Sequence, residues 1–159
     1  MNVTPPVRAI RTYTQRLHAP PEVVMPLLCP VRECDWAVGW EPVQVWSSSG
    51  IAEPDCVFLT PGAPEAIWVV TRLEPEDYFV EMIKITPGVT ACRLTIQLSP
   101  AGSGCRAEVC YRHTSLGPAG DRFVAGFTEE FYREFMQQWE AELNHYLTSG
   151  EKIDAGRPQ

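Results

Sequence analysis

Short stretches of mixed apolar and polar residues, bounded by turn-forming residues, fill most of the chain up to Leu116 and predict β-strands. The first predicted strand runs from Val7 to Leu17, where Thr, Tyr, Val and Ile are interspersed with Arg and Gln. Six further strands are predicted after residue 42. They cover Val43 to Ser48, Cys56 to Thr60, Ala66 to Leu73, Tyr78 to Thr86, Ala91 to Leu98 and Cys105 to Leu116.

Helical patterns interrupt and then follow these strands. Pro20, Pro21 and Glu22 open a short helix that ends near Pro26 or Pro30, and a second short helix is predicted near Val31 to Ala37. Large apolar residues then recur every four positions, which predicts a single long amphipathic helix from Arg122 to Leu147 with Asp121 as its N-cap. The repeat consists of Phe123, Phe127, Phe131, Phe135, Trp139, Leu143 and Leu147.

Composition narrows the class of protein. The 159 residues are 45% hydrophobic and 21% charged, which favours one domain, predicted at residues 1–150 and followed by a flexible tail at 151–159. The net charge of −7 repels phosphate backbones and no basic cluster offsets it, so no nucleic-acid partner is expected. We expect a cytoplasmic protein without stable membrane insertion, because no apolar stretch could span a bilayer and no secretory signal precedes the first strand. The six cysteines are accordingly expected to be reduced thiols.

The order of elements resembles that of the START-related helix-grip superfamily (SRPBCC), which includes the birch pollen allergen, lipid-transfer and polyketide cyclase families. The resemblance rests on the Ala-Pro-Pro-Glu segment at Ala19 to Glu22 and on the C-terminal amphipathic helix. The stretches PLLCPVRECDWAVGW (residues 26–40), SGIAEPDCVF (49–58) and LNHYL (143–147) look like a bacterial branch of that superfamily for which no activity is established.

This resemblance implies an α+β helix-grip fold. A curved seven-stranded antiparallel sheet would wrap around a long C-terminal helix, with two short helices after the first strand. It also implies a deep cavity between the sheet and the helix, which in this superfamily usually holds a lipid, a sterol, a polyketide or another apolar molecule. It supplies no universal catalytic residues.

Strand alternation selects candidate residues for the cavity. Val109, Tyr111 and His113 share one face of the last strand, which we expect to point inward. An imidazole and a phenol among apolar walls are suited to acid–base work or to orienting a ligand, although an inward histidine is more often a hydrogen-bonded core residue. Glu81 is a third candidate for a catalytic role if its face of the fifth strand is inward; the favoured alternative is a surface glutamate paired with a neighbouring strand.

Aromatic residues supply the candidate cavity wall. Trp36 and Trp40 are predicted near the entrance, and every tryptophan and helix phenylalanine has the alternative interpretation of a plain core residue. The predicted ligand-binding set is Trp36, Trp40, Trp68, Val109, Tyr111, His113, Phe127, Phe131 and Phe135.

No motif indicates a metal or a cofactor, and neither is expected. Cys29, Cys34 and Cys56 are near enough in sequence for their thiols to converge, but their spacing differs from the close pairs of zinc sites. The sequence lacks a glycine-rich phosphate loop, a nucleophile elbow, an HExxH pair and a CxxC pair.

Three functions are compatible with these observations. The first is binding of a small apolar or amphipathic ligand for transport, sensing or sequestration. The second is an enzyme of the cyclase or dehydratase kind, acting on a polyketide or related carbonyl compound with His113 moving protons. The third is a protein-interaction module that uses the surface of the sheet. The oligomeric state is left open, with a homodimer as one alternative.

Overall fold

A computed structural model describes residues 1–154, and in it all seven predicted strands form one antiparallel sheet. The order across the sheet is β1-β7-β6-β5-β4-β3-β2. The strands are β1 (Arg8–Leu17), β2 (Gln44–Trp46), β3 (Val57–Thr60), β4 (Ala66–Glu74), β5 (Phe79–Thr86), β6 (Thr90–Ala101) and β7 (Gly104–Ser115). Of the predicted flexible tail, residues 155–159 lie outside the described part of the chain.

The short helices after β1 also agree with the prediction. Helix α1 (Pro21–Val24) continues into a 3₁₀ turn at Met25–Leu27, and the predicted second helix is a 3₁₀ turn at Arg32–Asp35. Another 3₁₀ turn, Pro75–Asp77, connects β4 to β5. None of the helices within residues 1–154 is both long enough and apolar enough to cross a membrane.

The predicted single C-terminal helix is wrong, because the segment forms two helices, α2 (Pro118–Gly126) and α3 (Glu129–Ser149). The chain leaves the helical conformation at Phe127 and is extended at Thr128, where φ is −72° and ψ is 164°. The Thr128 side chain accepts a hydrogen bond from the backbone N–H of Phe131 at 3.1 Å. Thr128, rather than Asp121, is therefore the N-cap of the long helix. The predicted long C-terminal helix of the helix-grip arrangement is confirmed in α3, which has 21 residues.

The buried face of α3 also differs from the predicted stripe. Tyr132, Met136 and Leu143 are buried, whereas Phe131 and Phe135 are 51% and 40% exposed. A step of four residues turns a helix by about 40° more than a full turn, so a strict four-residue repeat drifts away from any single face. The phenylalanines thus lie beside the buried face, and the tyrosine and methionine next to them occupy its centre.

Polar contacts attach α3 to the outer edge of β1. The Gln15 amide donates to the backbone carbonyl of Met136 at 3.0 Å, and the backbone N–H of Arg16 donates to the Glu140 carboxylate at 3.2 Å. Asn144 donates in turn to the carbonyl of Arg16 at 2.8 Å. Glu140 and Asn144 satisfy backbone groups of Arg16 that an edge strand would otherwise leave open, and together with Gln15 they hold the helix across the sheet.

The core lies between the concave face of the sheet and the helices. Alternate residues of the central strands point into it, as the period of two requires. The buried residues of β5, β6 and β7 on this face include Val80, Met82, Leu94, Ile96, Leu98, Cys105, Ala107 and Val109.

Candidate functional site

A cavity of about 180 Å³ lies where the concave face of the sheet meets the middle of α3 and the loop at residues 37–40. Strands β3 to β7 supply its floor and α3 supplies one wall. The apolar and aromatic lining consists of Ala37, Val38, Gly39, Trp40, Phe58, Trp68, Met82, Leu94, Ile96, Phe135 and Trp139. The remaining lining residues are Glu33, Tyr111, Gln138 and Glu142.

Three aromatic rings form a connected wall. Phe58 and Trp68 are stacked with ring centroids 5.4 Å apart, and the Trp40 ring approaches them edge-on at 6.1 and 6.5 Å. The indole N–H of Trp40 donates to the carbonyl of Pro30 at 2.7 Å, and that of Trp68 donates to the Thr60 hydroxyl at 3.0 Å. Because both N–H groups are already bonded within the protein, these tryptophans offer a ligand only ring surface.

Glu33 is a lining residue that the sequence did not suggest. It lies in the 3₁₀ turn Arg32–Asp35, is half-buried and lines the cavity. Burial raises the pKa of Glu33 to about 8, because the charged form loses its hydration. The carboxyl has no hydrogen-bond partner among residues 1–154. Near neutral pH it is therefore mainly a protonated acid without a protein partner.

Glu142 is a second carboxyl group that the sequence analysis missed. It is 7% exposed on α3 and accepts hydrogen bonds from the backbone N–H of Val38 at 3.0 Å and from the Gln138 amide at 2.9 Å. These bonds attach the loop at residues 37–40 to the long helix. The position of Glu142, three residues after Trp139 and one before Leu143, was an available signal, because an acidic residue on the apolar face of a helix is unusual.

Tyr111 reaches the cavity from β7, as its strand alternation predicts. Its ring packs against Tyr132 and Phe135, with centroid distances of 5.8 and 6.1 Å. Burial raises the pKa of Tyr111 well above its ordinary value, with smaller contributions from nearby groups that include Glu33. Within the described residues its hydroxyl has no hydrogen-bond partner, so Tyr111 is a neutral donor available to a ligand.

Four of the nine predicted ligand-binding residues line this cavity, namely Trp40, Trp68, Tyr111 and Phe135. Trp36 is completely buried behind the wall, 5.3 Å from the ring of Trp139, and its indole N–H donates to the carbonyl of Leu27. Val109 is also completely buried, and Phe131 is half exposed on the side of α3. The structure does not place these last three in the cavity lining, and a direct contact with a ligand stays a prediction for all nine.

His113 lies in a separate aromatic cluster beneath α2. Its ring centroid is 4.8 Å from that of Phe123 and 4.6 Å from that of Phe127, and its Nδ1 has no hydrogen-bond partner within residues 1–154. Burial, assisted by the nearby positive charge of Lys84, lowers the pKa of His113 to about 4. The imidazole is therefore neutral at physiological pH, and His113 and Phe127 are core neighbours outside the cavity lining.

Glu81 lies on the opposite, outer face of β5. Its neighbours Val80 and Met82 are buried toward the core, and the Thr71 hydroxyl donates to its carboxylate at 2.9 Å. This is the surface position, paired with a neighbouring strand, that the favoured interpretation describes.

The three cysteines do not form a common cluster. Cys29 and Cys56 are buried, and burial, with a smaller contribution from Cys29, raises the pKa of Cys56. Cys34 is exposed, and its thiol donates to the carbonyl of Pro30. All six thiols are free, and in the part of the chain described here no three His, Cys, Asp or Glu side chains are arranged to hold a metal ion.

Comparison with known proteins identifies the fold. No protein-family model and no curated protein sequence matches the chain. Norcoclaurine synthase from Thalictrum flavum superposes with a TM-score of 0.67 at 11% identity, over 91% of this chain and 88% of that one. Ara h 8.0201 superposes with a TM-score of 0.62 at 12% identity, over 90% of this chain and 99% of that one.

A third similar structure is DynU16, a putative protein in the dynemicin biosynthetic locus. The two structures superpose with a TM-score of 0.59 at 16% identity. The match covers 89% of this chain but only 48% of DynU16, so this chain spans about half the length of that protein. At these identities the likeness shows the fold alone. The chain therefore has the helix-grip fold that the sequence resemblance implies, while its assignment to a bacterial branch stays a prediction.

Proposed function

We propose that this protein binds a small apolar or amphipathic molecule in the cavity between the sheet and α3. One observation carries the proposal: an aromatic-walled cavity that also contains a tyrosine hydroxyl and a carboxyl group without protein partners. Buried polar groups are nearly always hydrogen-bonded in folded proteins. Those of Tyr111 and Glu33 are instead available to the polar end of a ligand.

The dimensions of the cavity favour a compact ligand. Its volume of about 180 Å³ lies below the range of roughly 300–1,000 Å³ typical of drug-sized ligands. Affinity would come mainly from covering the rings of Trp40, Phe58 and Trp68, since burial of apolar area contributes about 25 cal/mol per Å². The polar groups would then select among ligands of similar shape, because an unmatched buried donor or acceptor is costly.

Native mass spectrometry of the purified protein, followed by denaturing extraction, tests the proposal. We expect a retained small molecule, or, if the protein is purified empty, a compact apolar compound that quenches tryptophan fluorescence in a screen. Trp40→Ala should weaken its binding by about tenfold or more, because it removes one side of the aromatic wall. Trp46→Ala is the matched control, since Trp46 is 53% exposed on β2 and does not line the cavity. Equal losses in the two variants would contradict a cavity site.

A second candidate function is an enzyme of the cyclase or dehydratase kind acting on a carbonyl compound. It is favoured by the same two groups, because a phenol and a protonated carboxyl in an apolar cavity can donate hydrogen bonds to a carbonyl oxygen that gains charge. Glu33 would take the acid–base role first considered for His113, since Glu33 lines the cavity. If this candidate is correct, Glu33→Gln and Tyr111→Phe abolish turnover of a substrate that both variants still bind. Unchanged turnover would exclude it.

A further inference from the structure

We propose that the cavity selects a ligand with a positively charged amine attached to a compact aromatic or apolar body. The inference deepens the proposed function and rests on it, since it concerns the chemistry of the same cavity. Its basis is the pair of carboxyl groups, Glu33 and Glu142, which reach the aromatic cavity from two different elements, the 3₁₀ turn and α3.

Among residues 1–154, no protein cation balances these carboxyl groups at the cavity. The lining contains no Lys, Arg or His side chain. The nearby basic residues are engaged elsewhere: Arg32 pairs with Asp35 at 2.7 Å, and the Lys152 ammonium donates to the carbonyl of Cys34 at 3.2 Å. Lys84 lies over the ring of Trp68, 4.9 Å from its centroid, and is not part of the lining. An ionised carboxyl group without a counter-charge is unfavourable in an apolar cavity, and a cationic ligand would supply that counter-charge.

Glu142 is held in place for such a ligand. The Val38 N–H and the Gln138 amide each bond to one of its carboxylate oxygens. A carboxylate has about four acceptor positions in total, so lone pairs remain on both oxygens for an ammonium group. The two existing bonds fix the orientation of the carboxylate before binding, which reduces the ordering that binding requires.

The aromatic lining favours the same class of ligand. The ring faces of Trp, Tyr and Phe attract cations through their quadrupoles, most strongly where water is excluded. Trp40, Trp139, Tyr111 and Phe135 all line the cavity that contains the two carboxyl groups. An aromatic amine would therefore find apolar contacts for its ring and both carboxylate and ring-face contacts for its charge. An anionic ligand would meet two acidic groups and no basic one.

Isothermal titration calorimetry of the full chain at about pH 8, where Glu33 is partly ionised, tests the inference. The probes are 2-phenylethylamine, 2-phenylethanol and phenylacetate, which share a ring and differ mainly in the charge of the polar end. We expect the amine to bind about tenfold more tightly than the alcohol, and the acid to show no measurable binding.

Three variants locate the origin of the preference. Glu33→Gln is decisive, because Glu33 makes no hydrogen bond within the described residues and its loss leaves the loop and α3 attached. We expect it to reduce the advantage of the amine about threefold or more, with little change for the alcohol. Glu142→Gln should do the same, although it also alters the contact with Val38. Glu134→Gln, on the exposed side of the same helix, is the matched control and should change nothing.

Three results would overturn the inference. If the alcohol binds as tightly as the amine, the cavity does not select a cation. If the preference for the amine survives Glu33→Gln and Glu142→Gln, the two carboxyl groups are not its origin. Either result leaves the proposed binding of a small molecule standing. If none of the three probes binds at millimolar concentration, the arylalkylamine class is excluded. The absence of any retained molecule in mass spectrometry would then count against the proposed function as well.

Discussion

The concave face of the sheet has two halves that are filled in different ways. Beneath α2 and the start of α3, the rings of Phe123, Phe127 and Tyr111 pack against His113 at centroid distances of 4.6 to 5.9 Å, and the ring of Tyr132 packs against that of Phe127 at 5.6 Å. Beneath the middle of α3 and the loop at residues 37–40, equally aromatic walls surround a cavity. The two halves show that aromatic content alone does not create a binding site, because a helix can bring its rings close enough to fill the space.

Each half contains one titratable group with a shifted pKa, and the surroundings of these two groups differ. His113 is enclosed by rings and does not line the cavity, and burial favours its neutral form. Glu33 is half-buried, borders the open volume of the cavity and has no hydrogen-bond partner within residues 1–154. A ligand can therefore change the protonation state of Glu33, whereas only acid can change that of His113.

The largest expected difference between the two halves is in the loss of stability caused by a phenylalanine-to-alanine substitution. Phe127 is 4% exposed in the filled half, and Phe127→Ala should lower the free energy of unfolding by about 3–5 kcal/mol. Phe135 is 40% exposed and lines the cavity, so Phe135→Ala should cost no more than about 1 kcal/mol while weakening ligand binding. Urea unfolding followed by circular dichroism measures both. Similar losses of stability would mean that the two halves are not packed differently.

The acidic group of the open half should make stability depend on pH. The pKa of Glu33 rises from 4.5 to about 8 on folding, so the folded protein holds this proton more tightly. Its contribution to stability is therefore lost as pH rises from about 4.5 to 8. Glu33→Gln removes this loss, and the variant should be more stable than the parent by roughly 4 kcal/mol near pH 8 and unchanged near pH 4. Glu134→Gln serves as the control, and a gain that does not depend on pH would contradict the assignment.

The basic group of the filled half should act at lower pH and in the opposite direction. Because burial lowers the pKa of His113 from 6.5 to about 4, the unfolded chain binds the proton more tightly. Stability is then lost as pH falls from about 6.5 to 4. In the parent, the free energy of unfolding should fall by roughly 2 kcal/mol over that interval because of His113, and in His113→Leu this decrease should be absent. Urea unfolding at several pH values measures the difference. If the variant and the parent lose stability in parallel, other groups are responsible.

The smallest expected difference in stability between the two halves comes from removing one tyrosine hydroxyl in each. The Tyr132 hydroxyl donates to the carbonyl of Val109 in the filled half, so Tyr132→Phe should cost about 1 kcal/mol of stability. The Tyr111 hydroxyl has no partner in residues 1–154, and Tyr111→Phe should change stability by less than about 0.5 kcal/mol. For ligand binding the order should reverse, with the larger loss in Tyr111→Phe. Thermal unfolding and titration of a bound ligand measure the two quantities.

The strands were predictable because their information is local. Alternation along β7 correctly separated the inward residues Val109, Tyr111 and His113 from their outward neighbours, and turn-forming residues marked each strand boundary to within a few positions. Alternation did not reveal how the space above the inward residues is filled. Tyr111 and His113 are two residues apart on one face, yet the first lines the cavity and the second is covered by α2.

The division of the C-terminal segment into two helices is a feature that the local sequence pattern did not predict. The apolar repeat continues through Phe127, but the Thr128 cap and the packing of Phe127 against His113 divide the segment into two helices. The cavity carboxyl groups were missed for a related reason. Glu33 lies in a short turn without periodicity, and the local pattern around Glu142 predicts a helix but not the loop that its carboxylate contacts.

By itself, then, the sequence determined the order of the elements, the alternation of the strands and the presence of a long amphipathic helix, because each depends on residues close together in the chain. Only the tertiary structure decided which half of the concave face is filled and which carboxyl groups reach the cavity. Those features depend on contacts across more than a hundred residues, such as Glu142 with Val38, and no local pattern specifies them.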